Sequence, residues 1–418
     1  MQQRFHALDA ARAAALLLGV LLHAAVPFLP ANPPAALARL SPDSIPFVFG
    51  FHYIHIFRLP AFFLMAGFLG RLLLHRRGFR GFIRNRLVRI LVPLVLGWLV
   101  FYPMILAVAI WRSRLRAVGA PVASPAAHLW HAAVSSHTIG EILTARVPLA
   151  HLWFLYYLLL IYVLVLSLRW LGGKWGAAGR VADNVFKVVL ESRYGAICFA
   201  APLAVALFRM PAWGFEPPDH GLLPHWSVLF AYLMFFLIGW LLSRQPELLR
   251  AFERRAYQSM AGGVAMGVWP LVLLARTANP AHARLTVLEK LSGDAAYALA
   301  MVLMAFGFLG LFVRWMSEPR KAVRYVSDSA YWVYLAHYPL VLVLGAAAVL
   351  WRVHWAAGIP IIVMTSFVVT LITYQFLVRY SWIGAILHGP RSAPASRIST
   401  RAPESAQVGQ ARSQTAGG

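Results

Sequence analysis

An arginine and two histidines interrupt one of the long apolar stretches of the chain. The stretch Phe47–Gly70 is long enough to cross a lipid bilayer, and it carries His52, His55 and, near its centre, Arg58. A guanidinium in hydrocarbon is costly, so it is kept where protein or a wet cavity receives it. These residues predict a polar site for reaction or transport inside a membrane. The structural alternative is an arginine that only bonds backbone carbonyls.

A second set of polar residues lies along the first apolar segment. Asp9, Arg12, Leu16, Gly19 and His23 are spaced three or four residues apart, so they share one face of a helix. Asp9 and Arg12 can pair, and His23 lies about 16 Å further along the same face. The spacing predicts a stripe that leads from one membrane surface to a buried histidine. The alternative is an interfacial ion pair and a separate, satisfied histidine.

Two arginines mark the start of the third apolar segment. Arg86 and Arg89 lie three residues apart on one helix face, where they could clamp a phosphate or simply anchor lipid headgroups. His151 and His337 lie among tyrosines and tryptophans in later apolar segments. Aromatic belts at the membrane interface explain those neighbours, although His337 lies deeper than such a belt.

The elements that position these residues are predicted from composition and apolar patterning. Of 418 residues, 60% are hydrophobic and 12% are charged, whereas soluble domains average about 25% charged residues. Ten apolar segments of spanning length lie at about 10–30, 46–74, 88–111, 149–169, 194–209, 226–243, 257–275, 295–313, 329–350 and 357–379. We expect an all-α polytopic integral membrane protein with about ten transmembrane helices. Residues 1–388 form its membrane domain and 389–418 a disordered cytoplasmic tail.

The basic residues set the expected orientation. Lys and Arg number 38 against 14 Asp and Glu, a net charge of +24. With the N-terminus inside, most of the basic residues fall on the inner side, which satisfies the positive-inside rule. We therefore expect both termini in the cytoplasm, an inner (plasma) membrane location and contact with anionic lipid. No basic soluble module remains for nucleic acid, and no metal-binding or nucleotide-binding motif occurs. Residues 10–29 are expected to be the first span and not a cleaved signal peptide.

In their order along the chain, these motifs resemble the membrane acyltransferase 3 family over about residues 5–380. The resemblance rests first on the motifs Leu8-Asp9-x-x-Arg12, His23, Arg86-x-x-Arg89 and His337-Tyr-Pro339. Glucan biosynthesis protein C-like succinyltransferases are the most similar subgroup, through Ile54-His55-Ile-Phe-Arg58, His151-Leu-Trp-Phe-Leu, Gly239-Trp-Leu-Leu-Ser-Arg-Gln-Pro246 and the run Ser327–Pro339. Ala13 departs from the glycine that much of the wider family has there, which favours this subgroup.

The resemblance implies an O-acyltransferase that moves an acyl group, succinyl or acetyl, from cytoplasmic acyl-CoA to a hydroxyl of an extracytoplasmic glycan such as periplasmic glucan. Acyl-CoA is then a donor substrate, and no cofactor is expected to stay bound. Arg86 and Arg89 would hold the CoA phosphates. The flexible arm of the donor would follow Asp9 and Arg12 toward His23. His151 and His337 are expected to contact substrate.

The predicted chemistry centres on His23 as general base for the attacking sugar hydroxyl. Arg58, together with His55, would stabilise the developing oxyanion. Two other roles stay open: Arg58 holds a carboxylate of the donor, or His23 carries the acyl group transiently. A different class of function, a transporter or flippase for an anionic or lipid-linked glycan, would use the same basic cavity for binding alone. The acyl group, the acceptor and the oligomeric state are left open.

Overall fold

A computed structural model describes residues 5–29, 45–117, 149–171, 176–210, 222–277 and 284–389. The regular elements within these ranges are helices, and no strand occurs among them. This confirms the predicted all-α membrane fold. The predicted cytoplasmic tail lies outside the described residues except for Gly389, as does most of the outer loop at 112–148.

The long helices coincide with the predicted apolar segments, and short helices join or follow them. The α-helices of the described ranges are α1 (His6–Ala25), α2 (Ile45–Arg86), α3 (Val92–Ala117), α4 (Trp153–Leu171), α5 (Gly176–Glu191), α6 (Gly195–Phe208), α7 (Trp226–Leu242), α8 (Leu249–Arg254), α9 (Ala256–Thr277), α10 (Val287–Trp315), α11 (Lys321–Leu350), α12 (Trp355–Thr373) and α13 (Trp382–His388). Wider π-helical turns at Leu87–Leu91 and Tyr374–Val378 follow α2 and α12.

Within the described ranges, seven helical stretches are long and apolar enough to cross a membrane. The number rises to as many as nine if each of two sharply bent helix pairs forms one span. The stretch Ile45–Arg112, which is counted once, holds 68 residues and contains both the second and the third predicted segments. Its helical backbone is broken at Gly78, where φ is 67°. The chain is a multi-pass membrane protein, and the count of about ten helices stays a prediction.

The first helix lies inside the bundle. Contacts with α2, α10, α11 and α12 surround α1, so its polar stripe faces protein and not lipid. Helices α2 and α7 approach so closely that a Cβ on Gly67 would collide with the Phe236 carbonyl, and one on Gly239 with the Leu64 carbonyl. Small residues permit this backbone contact, as is common between membrane helices. The tight packing fixes α2 beside α7.

Both ends of the described chain lie at the same end of the bundle. Asp9 and Arg12, at the start of α1, line one cavity together with Leu387 and His388 of α13. An even number of spans would produce this arrangement. The cytoplasmic location of both termini stays a prediction.

Candidate active site

The face of α1 predicted from residue spacing is present as a continuous line through the bundle. Asp9 and Arg12 line a first cavity, and His23 lines a second. Leu16, between them, lines both cavities. Gly19 packs against the side chain of Arg58, where an added Cβ would lie 2.5 Å from its Nη1 atom. One face of a single helix therefore connects the two cavities.

The first cavity, which we call the basic cavity, measures about 300 Å³. Its charged and polar lining residues are Asp9, Arg12, Arg86, Arg89, Tyr162, Ser327, Asp328, Tyr331 and His388. The Arg12 guanidinium lies 3.7 Å from the Asp9 carboxylate, as the three-residue spacing predicted. Because carboxylates are also present, the cavity is basic but not uniformly cationic.

Aromatic and amide groups fix the position of Arg86. Its guanidinium donates to Tyr162 Oη at 3.1 Å and to Asn85 Oδ1 at 2.9 Å. It also lies over the rings of Phe82 and Tyr162. Arg89 follows in the π-helical turn, and its carbonyl accepts a hydrogen bond from Tyr331. Such wide turns occur often at functional sites. Both arginines line the same cavity, so the structure brings together the pair that the sequence singled out.

The second cavity, the histidine cavity, measures about 250 Å³ and is mostly apolar. The residues in it that could act on a substrate are His23, His55, Arg58, Arg112, His151, Tyr232, Tyr334 and Tyr338. No Asp or Glu is among the described residues that line it. An anionic group that entered this cavity would therefore meet cationic and neutral side chains only.

Arg58 is the deepest charge of the histidine cavity. Its side chain is 9% exposed, and its Nε has no hydrogen-bond partner among the described residues. A buried cation without compensation is expensive, whereas a ligand oxygen would satisfy it. The geometry therefore favours a guanidinium held ready for a substrate over one that only bonds backbone carbonyls.

A stack of rings holds His23 in place. The Tyr338 ring lies edge-on to His23, with centroids 5.0 Å apart, and stacks on His151 at 4.8 Å. His151 Nε2 donates to the Leu335 carbonyl at 3.1 Å, and Tyr334 Oη donates to the His151 carbonyl at 2.7 Å. Helix α1, the turn Ala150–Leu152 before α4, and α11 thus share one aromatic cluster.

The histidines His52, His55 and His337 each have different surroundings. His55 lines the histidine cavity, with its ring parallel to that of Phe51. His52 bonds the Gly267 carbonyl of α9 at 3.1 Å, which separates its role from that of His55. His337 is 0% exposed and is not among the lining residues of either cavity. Its predicted contact with substrate stays a prediction. Among the described residues, no group of three or more His, Cys, Asp or Glu could hold a metal ion.

An apolar collar separates the two cavities. Leu16, Phe62 and Phe154, from α1, α2 and α4, line both of them. All three side chains are less than 9% exposed, and the rings of Phe62 and Phe154 meet edge-to-face with centroids 4.4 Å apart. We call these three residues the collar. Any group that moved from the basic cavity to the histidine cavity along this face of α1 would pass them.

Sequence reasoning missed several residues that shape the site. Tyr334 and Tyr338 were interpreted as interfacial aromatics, but both line the histidine cavity. Arg112 lies in α3 just beyond the predicted apolar segment 88–111, and it lines the same cavity. One signal for Tyr334 and Tyr338 was available, because they lie four residues apart and so share one helix face beside His337. The sequence holds no comparable signal for Arg112.

The comparison with protein families agrees with this arrangement. A model of the acyltransferase 3 family, described as an acyltransferase domain, matches residues 5–375. That range includes every lining residue of the two cavities except Leu387 and His388. No curated protein and no solved structure matches the chain. The finer resemblance to glucan biosynthesis protein C-like enzymes stays a prediction. Because the matched range covers nearly the whole membrane bundle, the chain belongs to the acyltransferase 3 family.

Proposed function

We propose that this membrane acyltransferase takes an acyl group from acyl-CoA in the basic cavity and delivers it to a glycan hydroxyl in the histidine cavity. The observation that carries the proposal is the pair of cavities on either side of one collar. One cavity offers arginines suited to phosphate, and the other offers a histidine and a buried guanidinium suited to acyl transfer. An inner-membrane location, with the basic cavity toward the cytoplasm, is part of the proposal.

The basic cavity is suited to the phosphates of the donor. Guanidinium groups bind phosphate oxygens in a bidentate manner, and Arg86 is already held by Tyr162 and Asn85. Preorganised arginines lose little conformational entropy when a ligand arrives. In this proposal Arg86 and Arg89 hold phosphate, while Arg12, paired with Asp9, stands where the flexible arm of the donor begins its path along α1.

The path along α1 has the length the proposal needs. From Arg12 to His23 the helix rises about 16 Å, which a long, flexible thioester arm can span. The arm would pass Leu16, Phe62 and Phe154, so the collar must open by side-chain rotation when the donor enters. The thioester carbonyl would then lie beside Arg58, which contacts the same face of α1 at Gly19.

In the proposed chemistry, neutral His23 accepts the proton of the glycan hydroxyl as its oxygen attacks the thioester carbonyl. A carbon–oxygen bond forms, and the negative charge on the carbonyl oxygen is stabilised by Arg58 with His55. The intermediate then collapses, the carbon–sulfur bond breaks, and the leaving thiolate takes the proton from the His23 imidazolium. The products are the acylated glycan and free CoA thiol, so atoms and charge balance.

The roles of Arg58 and His23 in this mechanism each have an alternative. If the donor carries a terminal carboxylate, as a succinyl group does, Arg58 could bind that carboxylate instead of the oxyanion. His23 could also attack the thioester itself and carry the acyl group before the glycan accepts it. Rapid mixing of enzyme and labelled acyl-CoA without acceptor distinguishes the two roles of His23, because the protein becomes labelled only if His23 carries the acyl group.

The proposed function is tested with the purified protein in lipid vesicles. Isotope-labelled acetyl-CoA and succinyl-CoA are supplied with periplasmic glucan, and the glucan is analysed by mass spectrometry. We expect one donor to add its acyl mass, and His23→Ala to reduce the addition to a small residual rate. His52→Gln is the matched control, since His52 bonds Gly267 outside the cavity. Consumption of neither donor, or full activity of His23→Ala, would refute the proposal.

The same experiment tests the alternative class. A transporter or flippase would move glycan across the vesicle membrane without consuming acyl-CoA. The family match supports acyl transfer over transport.

A further inference from the structure

The imidazole of His337 lies close to that of His23. The His337 ring, in α11, is fully buried, and its centroid lies 5.4 Å from that of His23 and 5.5 Å from that of His151. The interplanar angle to His23 is 37°. A buried histidine this close to the proposed base needs a chemical explanation, because an imidazole is a poor substitute for an apolar side chain in a core.

Hydrogen bonds determine which nitrogen of His337 carries the proton. Its Nδ1 lies 2.7 Å from the Tyr334 carbonyl oxygen and 3.1 Å from the Val333 carbonyl oxygen. Carbonyl oxygens only accept, so Nδ1 must be the donor. In the neutral ring, Nε2 then carries the lone pair. That Nε2 atom is buried and has no hydrogen-bond partner among the described residues. The Nε2 atom of His337 is thus an acceptor held in a fixed orientation.

The neighbouring rings differ in their ability to satisfy this acceptor. His151 already donates Nε2–H to the Leu335 carbonyl, so the Nδ1 atom of its neutral ring has no proton to give. His23 is the neighbouring imidazole that can donate. With ring centroids 5.4 Å apart, two nitrogens turned toward each other would be separated by about 3 Å, which is hydrogen-bond range.

We infer that His337 is a positioning residue for His23, accepting through Nε2 a hydrogen bond from the His23 ring. The inference rests on the proposed function, in which His23 is the base. Donation of one ring N–H to His337 leaves the other nitrogen of His23 unprotonated and turned toward the histidine cavity. When His23 takes the hydroxyl proton, the same bond steadies the imidazolium. An acceptor behind a general base sets both the tautomer and the orientation of its ring, as the buried aspartate does for the histidine of a serine protease triad.

The inference is tested with two variants of different shape. His337→Asn keeps a donor near the Nδ1 position and removes the acceptor at Nε2. His337→Gln places an amide oxygen near the Nε2 position. We expect kcat of His337→Asn to fall about 100-fold, with KM for acyl-CoA unchanged and partial recovery in His337→Gln.

The pH dependence of kcat supplies a readout that a purely structural role would not move. In His337→Asn the acidic limb should shift to lower pH, because protonated His23 has lost its acceptor. Arg58 of α2, His151 of the turn Ala150–Leu152 before α4, and Tyr334 and Tyr338 of α11 also face this pair. They stay unchanged in the variant. In a His23→Ala background, His337→Asn should lower the residual activity no further.

Each outcome is decisive for one of the two proposals. If the wild-type protein consumes no acyl-CoA, the proposed function fails and the inference falls with it. If the wild type is active, three results overturn the inference alone. These are an unchanged kcat and pH profile in His337→Asn, a loss equal in the Asn and Gln variants without a pH shift, and an additive loss in the His23→Ala background. If the Asn variant does not fold, full activity with an unshifted pH profile in His337→Gln overturns the inference. A lowered kcat with a shifted profile in that variant supports it.

Discussion

The contact between Gly19 and Arg58 makes a sharp prediction for the substitution Gly19→Ala. An alanine Cβ would lie 2.5 Å from Arg58 Nη1, whereas carbon and nitrogen atoms rest at about 3.5 Å. The guanidinium is the end of a flexible side chain, so it must move away by about 1 Å while the backbone stays in place. The substitution therefore displaces the proposed oxyanion-binding group and leaves the fold intact.

Stability and activity should respond in opposite directions. Replacing glycine by alanine inside a helix gains up to about 1 kcal/mol of helix propensity, so the variant should unfold no more easily than the wild type. A displacement of about 1 Å in a catalytic group costs about 100-fold in rate, which corresponds to about 2.7 kcal/mol in the activation free energy. We expect kcat for glycan acylation to fall by this factor and KM for acyl-CoA to stay nearly constant.

The assay compares Gly19→Ala with a matched control on the neighbouring helix. Gly50 in α2 is also helical, and a Cβ there would meet no atom within 4 Å. Gly50→Ala should gain the same helix propensity and keep full activity. Both variants are measured for kcat, KM and melting temperature in detergent. Wild-type kcat in Gly19→Ala would refute the role assigned to Arg58.

A double-variant cycle separates this cause from a general disturbance of α1. Arg58→Lys replaces the guanidinium with a smaller ammonium group, so an alanine at position 19 has less to displace. Gly19→Ala should then cost much less activity in the Arg58→Lys background than in the wild type. Equal losses in both backgrounds would show that the alanine acts elsewhere.

Three further predictions concern the basic cavity, the collar and the fold. Arg86→Ala should raise KM for acyl-CoA about 10- to 100-fold with little change in kcat. The control Arg84→Ala, on the exposed face of α2, should leave KM unchanged. An equal effect of both variants would contradict specific phosphate binding. Phe62→Ala should open the collar and raise acyl-CoA hydrolysis in the absence of glycan, measured as free thiol; no increase would argue against passage through the collar. Thr286→Ala removes the capping box at the start of α10 and should lower stability by about 1 kcal/mol at unchanged kcat; a large loss of activity would contradict this purely structural role.

The polar face of α1 is the part of the candidate site whose arrangement residue spacing predicted. Asp9, Arg12, Leu16, Gly19 and His23 lie on one face because helical geometry is local and periodic. The structure keeps all five along the line that joins the two cavities. The long apolar segments were predictable for a similar reason, since a bilayer demands about 20 consecutive apolar residues.

The partners of that stripe could not be predicted from spacing, because they come from distant parts of the chain. The collar joins Leu16 to Phe62 and Phe154, and nothing in the sequence relates these three apolar residues to each other. Tyr338 meets His23 and His151 only because α1, the turn Ala150–Leu152 before α4, and α11 pack around a common centre. Which helix faces meet is decided by packing over the whole bundle, as at Gly67 and Gly239, and such contacts leave only a weak trace in local sequence.

The sharp bends between α5 and α6 and between α7 and α8 were also missed. These pairs meet at 105° and 112°, while the sequence predicted a simple apolar span in each region. The pairing of Asp183 with Arg244, and the bond from Gln245 to the Asp183 carbonyl, tie the two bent regions together. Asp183 lies within α5, whereas Arg244 and Gln245 follow α7, so these are polar contacts between distant segments, and apolar periodicity does not report on them.

The collar has a consequence for the cell that carries this protein. In the proposed orientation, the two cavities open toward opposite faces of an energised membrane, and such a protein risks acting as a leak for ions. Each unit charge that crosses releases about 2.3 kcal/mol for every 100 mV, so even a narrow wet path would drain the gradient. Leu16, Phe62 and Phe154 place packed hydrocarbon between the two water-accessible spaces, where a bare ion would lose its hydration. In the proposed mechanism, the collar would let the flexible arm of the donor pass while the membrane stays electrically sealed.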